Sequence, residues 1–220
     1  MESLTPEILA QGITYYVVLL FSLSVHESAH AWMALQMGDD TAARQGRISL
    51  NPLVHIDPIG TVAIPLLQIF WGGVPLLGWA KPTPVAGQNL RKLARGHVMV
   101  AGAGPVSNLL LAFLFTALLF VGFRTPARDV DPLMALLITG VQMNVVLAIF
   151  NLIPLPPLDG SWVASWGLPR PIGEQYDRIV EPYGQWILLA LFATGALGFV
   201  LSPFVRGLST FLFQIARSSH

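Results

Sequence analysis

The sequence predicts an all-α polytopic membrane protein, with a three-helix core, a C-terminal helix or helices, and a small β-hairpin and re-entrant loop after the first helix. Three observations predict it. Of 220 residues, 54% are hydrophobic and 11% charged, against about 25% charged in an ordinary soluble domain. Four uncharged runs, 8–25, 98–123, 133–158 and 182–205, approach or exceed the ~20 residues that a helix rising 1.5 Å per residue needs to cross a bilayer. Little chain is left for a separate soluble domain, so 1–220 reads as one membrane-embedded unit, with a core over 8–160 and a helical region over 161–220.

The first helix is expected from about Glu7 to Met37. Thr5 can cap it, Pro6 suits its first turn, and Glu7 meets the positive end of the dipole. Glu2 and Glu7 stand where a signal peptide would be basic, so the segment reads as a retained helix. Gly38 and the pair Asp39–Asp40 stop it. Residues 42–51 alternate weakly and end in Asn51-Pro52, the pattern of a short strand or hairpin. A proline-bounded turn follows over 51–58. The uncharged stretch 60–80, broken by Pro65, Pro75 and glycines, reads as a loop that dips into the membrane. Lys81-Pro82-Thr83-Pro84-Val85 is too proline-rich for a helix and reads as a stiff, extended segment.

Arg91, Lys92 and Arg95 precede the second span, in which the small residues of Gly102-Ala103-Gly104-Pro105 permit close helix approach. Ser107 and Asn108 in that span should face protein rather than lipid. The third span runs into Pro154, Pro156 and Pro157, which must unwind it; unwound backbone at membrane depth is tolerated only in protein or against a wet cavity. Six lysines and arginines lie between the first two full spans (Arg44, Arg47, Lys81, Arg91, Lys92, Arg95). The next connection holds only Arg124 and Arg128, so the large loop is expected on the cytoplasmic side of a cell membrane.

Zero net charge gives no sign of nucleic-acid binding, and the absence of cysteine excludes disulfides and thiolate chemistry. His26-Glu27-Ser28-Ala29-His30 is an H-E-x-x-H at the end of the first uncharged run. Residues four apart share a helix face, so both imidazoles can reach one Zn²⁺ while Glu27 reaches a water. Two histidines and a carboxylate at such depth are costly unless paired or metal-bound. A catalytic zinc normally has three protein ligands. His55, Asp57, His97, Asp159, Glu174 and Glu181 are candidates for the third. Topology favours Asp159, because the third span returns to the side where the first span ends.

His26–His30, together with Asn151-Leu152-Ile153-Pro154-Leu155-Pro156-Pro157-Leu158-Asp159-Gly160, resembles the site-2 protease family of intramembrane metalloproteases. The likeness covers roughly residues 8–160. Gly46-Arg47-Ile48-Ser49-Leu50-Asn51-Pro52, His55-Ile56-Asp57-Pro58 and Gly78-Trp79-Ala80-Lys81-Pro82 resemble its compact branch, which lacks PDZ and CBS domains. The resemblance implies one Zn²⁺ held by His26, His30 and Asp159, with Glu27 as general base. It also implies that Asn151 binds substrate or steadies the oxyanion, and that the substrate is a transmembrane segment of another protein. Such a segment must unwind, and 42–51 or 81–85 could pair with it as an edge. His55 and Asp57 either orient a ligand or hold the proline-rich turn, and the turn is the favoured role. Two other functions compete: a catalytically inactive membrane protein that binds membrane clients, and a zinc transporter or sensor.

Overall fold

The computed structural model describes residues 5–70 and 78–218. Helix α1 (Pro6–Met37) begins as its sequence directs: the Thr5 side chain accepts from the Ile8 amide at 3.3 Å, with Pro6 and Glu7 in the first turn. It ends at Gly38, whose φ of 107° lets its amide close on the Ala34 and Leu35 carbonyls.

The expected strand over 42–51 is absent, and among the described residues there is no strand. Asp39 accepts from the amide and hydroxyl of Thr41, at 3.1 and 2.5 Å, and turns the chain sharply. A single helical turn, α2 (Thr41–Arg44), follows. Weak alternation becomes a strand only beside a partner, and no neighbour supplies one here.

Pro52–His55 forms a tight turn, and Pro58–Ala63 a wide helical one that runs into α3 (Ile64–Phe70). Asp57 caps it, accepting from the Ile59 and Gly60 amides at 3.0 and 2.7 Å. The ends of the expected dipping loop lie side by side, because Trp79 donates to the Gly60 carbonyl and Lys81 to that of His55. Residues 71–77 of that loop lie outside the described residues. The chain then runs extended to a short turn at Gly87–Asn89.

Helix α4 (Leu93–Gly122) contains Pro105, and α5 (Asp131–Asn151) ends at the proline run as expected. After it come α6 (Asp159–Gly167), α7 (Arg170–Val180), α8 (Gly184–Ala193) and α9 (Ala196–Arg217). The run 182–205 is therefore not one span. Gly195, at φ 73°, breaks it after the ten residues of α8, and the helix long enough to cross is α9. Four helices among the described residues, α1, α4, α5 and α9, have the length and apolarity to span a membrane. The chain is a polytopic helical membrane protein.

Packing explains which faces turn inward. Leu111, Ala112, Phe115 and Leu119 of α4 meet Met134, Leu137, Val141 and Val145 of α5, and Leu212 and Ala216 of α9 complete the cluster. A Cβ at Gly140 would stand 2.5 Å from the Phe115 ring, so only glycine lets α4 and α5 approach this closely. Val18, Leu19 and Leu23 of α1 pack against Met143 and Leu147 of α5. Large apolar side chains such as Val17, Leu110, Phe113 and Phe199 point outward, as helices facing lipid require.

Candidate metal centre

Helical spacing sets His26 and His30 on the buried face of α1, their ring centroids 4.6 Å apart. The proline break carries Asp159 back to the same place, at the first residue of α6. Its Oδ2 lies 3.1 Å from the Nε2 of His26 and 3.4 Å from that of His30, and the two Nε2 atoms are 3.0 Å apart. Among the described residues this is the group of three whose ligand atoms could hold a metal ion.

The hydrogen bonds around these residues determine which atoms face the centre. The Gly140 carbonyl can only accept, so it takes the amide nitrogen of Asn144 at 2.9 Å. The Asn144 oxygen therefore faces the amide nitrogen of Asn108, also at 2.9 Å. That turns the Asn108 oxygen to the Nδ1 of His26, at 2.6 Å, which must then donate. The second amide hydrogen of Asn144 goes to the Ser22 hydroxyl at 2.9 Å. On His30, Nδ1 faces the Val100 carbonyl at 2.7 Å and must likewise donate. With both imidazoles neutral, two Nε2 lone pairs and a carboxylate oxygen converge with no proton among them.

Asp159 Oδ2 is buried and has no hydrogen-bond donor. Three such lone pairs repel unless a cation lies between them. A tetrahedral ion with bonds of about 2.0–2.1 Å spaces its ligands about 3.3–3.4 Å apart, close to the distances found. The donor set of two imidazoles and one carboxylate suits zinc. Room is kept beside the rings by Gly104, where a Cβ would lie 2.4–2.5 Å from the His26 and His30 nitrogens. Gly160 has a similar part, since a Cβ there would strike the Leu152 and Ile153 carbonyls and push Asp159 away.

Glu27 stands beside the group with its side chain largely buried. Its Oε2 accepts from the Thr83 amide and the Thr83 hydroxyl, both at 2.8 Å, and lies 4.0 Å from the Arg47 guanidinium. The Asn151 side-chain amide donates to the Leu147 carbonyl in its own helix, at 2.9 Å. His55 is buried, with Nε2 at 2.8 Å from the Ser49 carbonyl, and Asp57 caps a turn, so both hold the loop together. His97 stacks on Trp166 at 4.3 Å, and Glu174 pairs with Arg170 at the surface. Sequence reasoning expected Asn108 to face protein but gave it no part in the site. It did not single out Ser22 or Asn144, and neither Thr83 nor Arg47 was connected to Glu27.

A polytopic helical membrane protein whose H-E-x-x-H histidines meet an aspartate in one group defines a class, that of membrane metalloproteins, and the comparisons supply the family. Over 194 residues the chain is 39% identical to a Bacillus subtilis protein named "Putative zinc metalloprotease YwhC", covering 86% of this chain and 84% of that one. The zinc metalloprotease Rip2 of Mycolicibacterium smegmatis, which carries the same qualifier in its name, is 32% identical over 81% of this chain and 66% of its own. Rip2 of Mycobacterium tuberculosis strain H37Rv, similarly named, is 31% identical over 91% and 73%. No family model matches the chain, and no solved structure matches it. The chain belongs to this family of zinc metalloproteases, and its cofactor is zinc.

Proposed function

We propose that the protein is an intramembrane zinc endopeptidase of the site-2 protease type, cleaving transmembrane segments of other membrane proteins. The observation that carries this reading is the convergence of His26, His30 and Asp159 beside Glu27 within a polytopic helical membrane protein. His26, His30 and Asp159 would hold the zinc, which supplies Lewis acidity and brings the pKa of a water close to neutral. Glu27 receives the proton of the attacking water on Oε1, the oxygen that Thr83 leaves free, and returns it to the departing amine nitrogen. The Asn108–Asn144–Ser22 chain keeps the proton of His26 on Nδ1, so that Nε2 stays available to metal. His26 and His30 are buried, where electrostatic contacts are stronger than in bulk water.

The excess of lysine and arginine in 38–97 supports a cell-membrane orientation with the site toward the cytoplasmic side. A zinc transporter would string ligands across the bilayer, whereas these sit in one place. A client-binding protein without catalysis differs in one measurable respect. Purified wild type and Glu27→Gln would be given a fluorescence-quenched peptide carrying one apolar span with a central helix break. The variant should lose at least about a hundredfold in kcat, the usual worth of a general base, and keep its zinc. Equal cleavage by both would overturn the protease mechanism. Asp159→Ala should lose the metal, and a retained stoichiometric zinc would remove Asp159 from the ligand set.

A further inference from the structure

We infer that Thr83 is the positioning residue for Glu27, and that the stiff segment 81–85 is a strap that holds the catalytic carboxylate in its working orientation. The inference rests on the reading of Glu27 as general base.

The strap is seated on α1 by three contacts from one residue. The Thr83 amide and hydroxyl both reach Oε2 of Glu27 at 2.8 Å, and the same hydroxyl lies 2.9 Å from the Glu27 backbone carbonyl. A hydroxyl has one proton, so it donates to one oxygen at a time, while the amide donation to Oε2 is permanent. The amide on Oε2, joined by the hydroxyl whenever it turns there, orients the carboxylate and leaves Oε1 as the oxygen that Thr83 does not hold.

Sequence makes Thr83 unusually suited to this. Pro82 and Pro84 fix their own φ near −65°, and each proline drives the residue before it, Lys81 and Thr83, into extended backbone. Thr83 adds a β-branched side chain with a restricted χ1. Most of the entropy of ordering the strap is therefore lost before folding, and its two donors are presented rigidly. The strap is anchored on both sides of that contact. Lys81 donates to the His55 carbonyl at 2.8 Å, and the Lys81 carbonyl accepts from Arg47. On the far side, the Ala86 amide donates to Asp39 at 2.7 Å.

Arg47 explains why the anchor is charged. It is 3% exposed, its Nε has no partner, and its guanidinium lies 4.0 Å from Glu27 Oε2. A buried cation is costly to leave unpaired, and here it spans the strap and the carboxylate and ties their positions together.

The test compares wild type, Thr83→Val, Thr83→Ser and Glu27→Gln on the same quenched single-span peptide, beside zinc content and the infrared carboxylate bands assigned by subtraction of Glu27→Gln. Wild type is first run on a panel of such peptides until one is cut. Thr83→Val keeps the amide and the shape but removes the hydroxyl. It should lower kcat about tenfold or more with KM and zinc content unchanged, and shift the antisymmetric stretch of Glu27. Thr83→Ser should restore most of the rate. Wild-type kcat in Thr83→Val, or an unshifted Glu27 band, overturns the inference. So does a Thr83→Val that loses zinc or stability together with rate, because Thr83 would then be holding the fold. Full activity in Glu27→Gln would instead sink the general-base reading on which the inference rests.

Discussion

At the scale of single residues, the proton position on His26 follows from one backbone carbonyl. Gly140 orients Asn144, Asn144 orients Asn108, and Asn108 orients His26. Both asparagines are fully buried, so none of these bonds competes with water. Removing a partner that orients a metal-bound imidazole typically lowers metal affinity 10–100-fold. Asn108→Ala should fall in that range when zinc is titrated against a chelating indicator, with Asn144→Ala losing less. An unchanged zinc affinity in Asn108→Ala would show that the relay does not orient His26. His26, Glu27 and His30 were legible in the sequence because their spacing is local and their depth costly. Asn108 and Asn144 gave a weaker sign, as amides in otherwise apolar helices, and the sequence does not say which polar partner each would meet.

At the scale of elements, the turn between α5 and α6 was legible because prolines cannot continue a helix and Asp159 follows them directly. The hairpin expected over 42–51 was not found, because strands are made by neighbours and local pattern alone cannot supply one. Thr83 lies 56 positions from Glu27, and only the folded loop brings them together. That loop depends on Asp39, buried just past the end of α1. Burial alone would raise its pKa, but hydrogen bonds from Thr41, Asn89 and the Ala86 and Thr41 amides outweigh it and hold the carboxyl below its ordinary value of 3.8. A carboxylate whose pKa is depressed by folding stabilises the fold above its unfolded pKa. That contribution is lost as pH falls through the folded value. Wild type should therefore melt at a higher temperature than Asp39→Asn near pH 7, and the difference should shrink below about pH 4. A gap that stays constant to pH 3 would show that Asp39 keeps its proton state on folding.

At the scale of the whole molecule, three spans were legible as uncharged runs, while the division of the last was not. Thr194 and Gly195 carry no charge, so hydropathy runs straight through the break that separates α8 from α9. The C-terminal part of α9 packs beside the ends of α4 and α5 remote from the metal group, where Arg124 donates to the Ala216 and Ser218 carbonyls. With no native cysteine, the orientation can be read by single-cysteine labelling. Gln45→Cys should react with an impermeant maleimide only from the cytoplasmic side, and Asp129→Cys only from the other. Labelling of both from one side would overturn the proposed orientation.

The order of the ligands along the chain has its own consequence during synthesis. His26 and His30 enter the membrane with the first span, but Asp159 follows only after α4 and α5, the helices that supply Asn108 and Asn144. A nascent chain made N-terminus first thus carries its two imidazoles through most of translation without the carboxylate or the orienting amides. Zinc capture is expected to come late, once α6 has been made, so a ribosome stalled before Asp159 leaves a chain with only two of its three metal ligands.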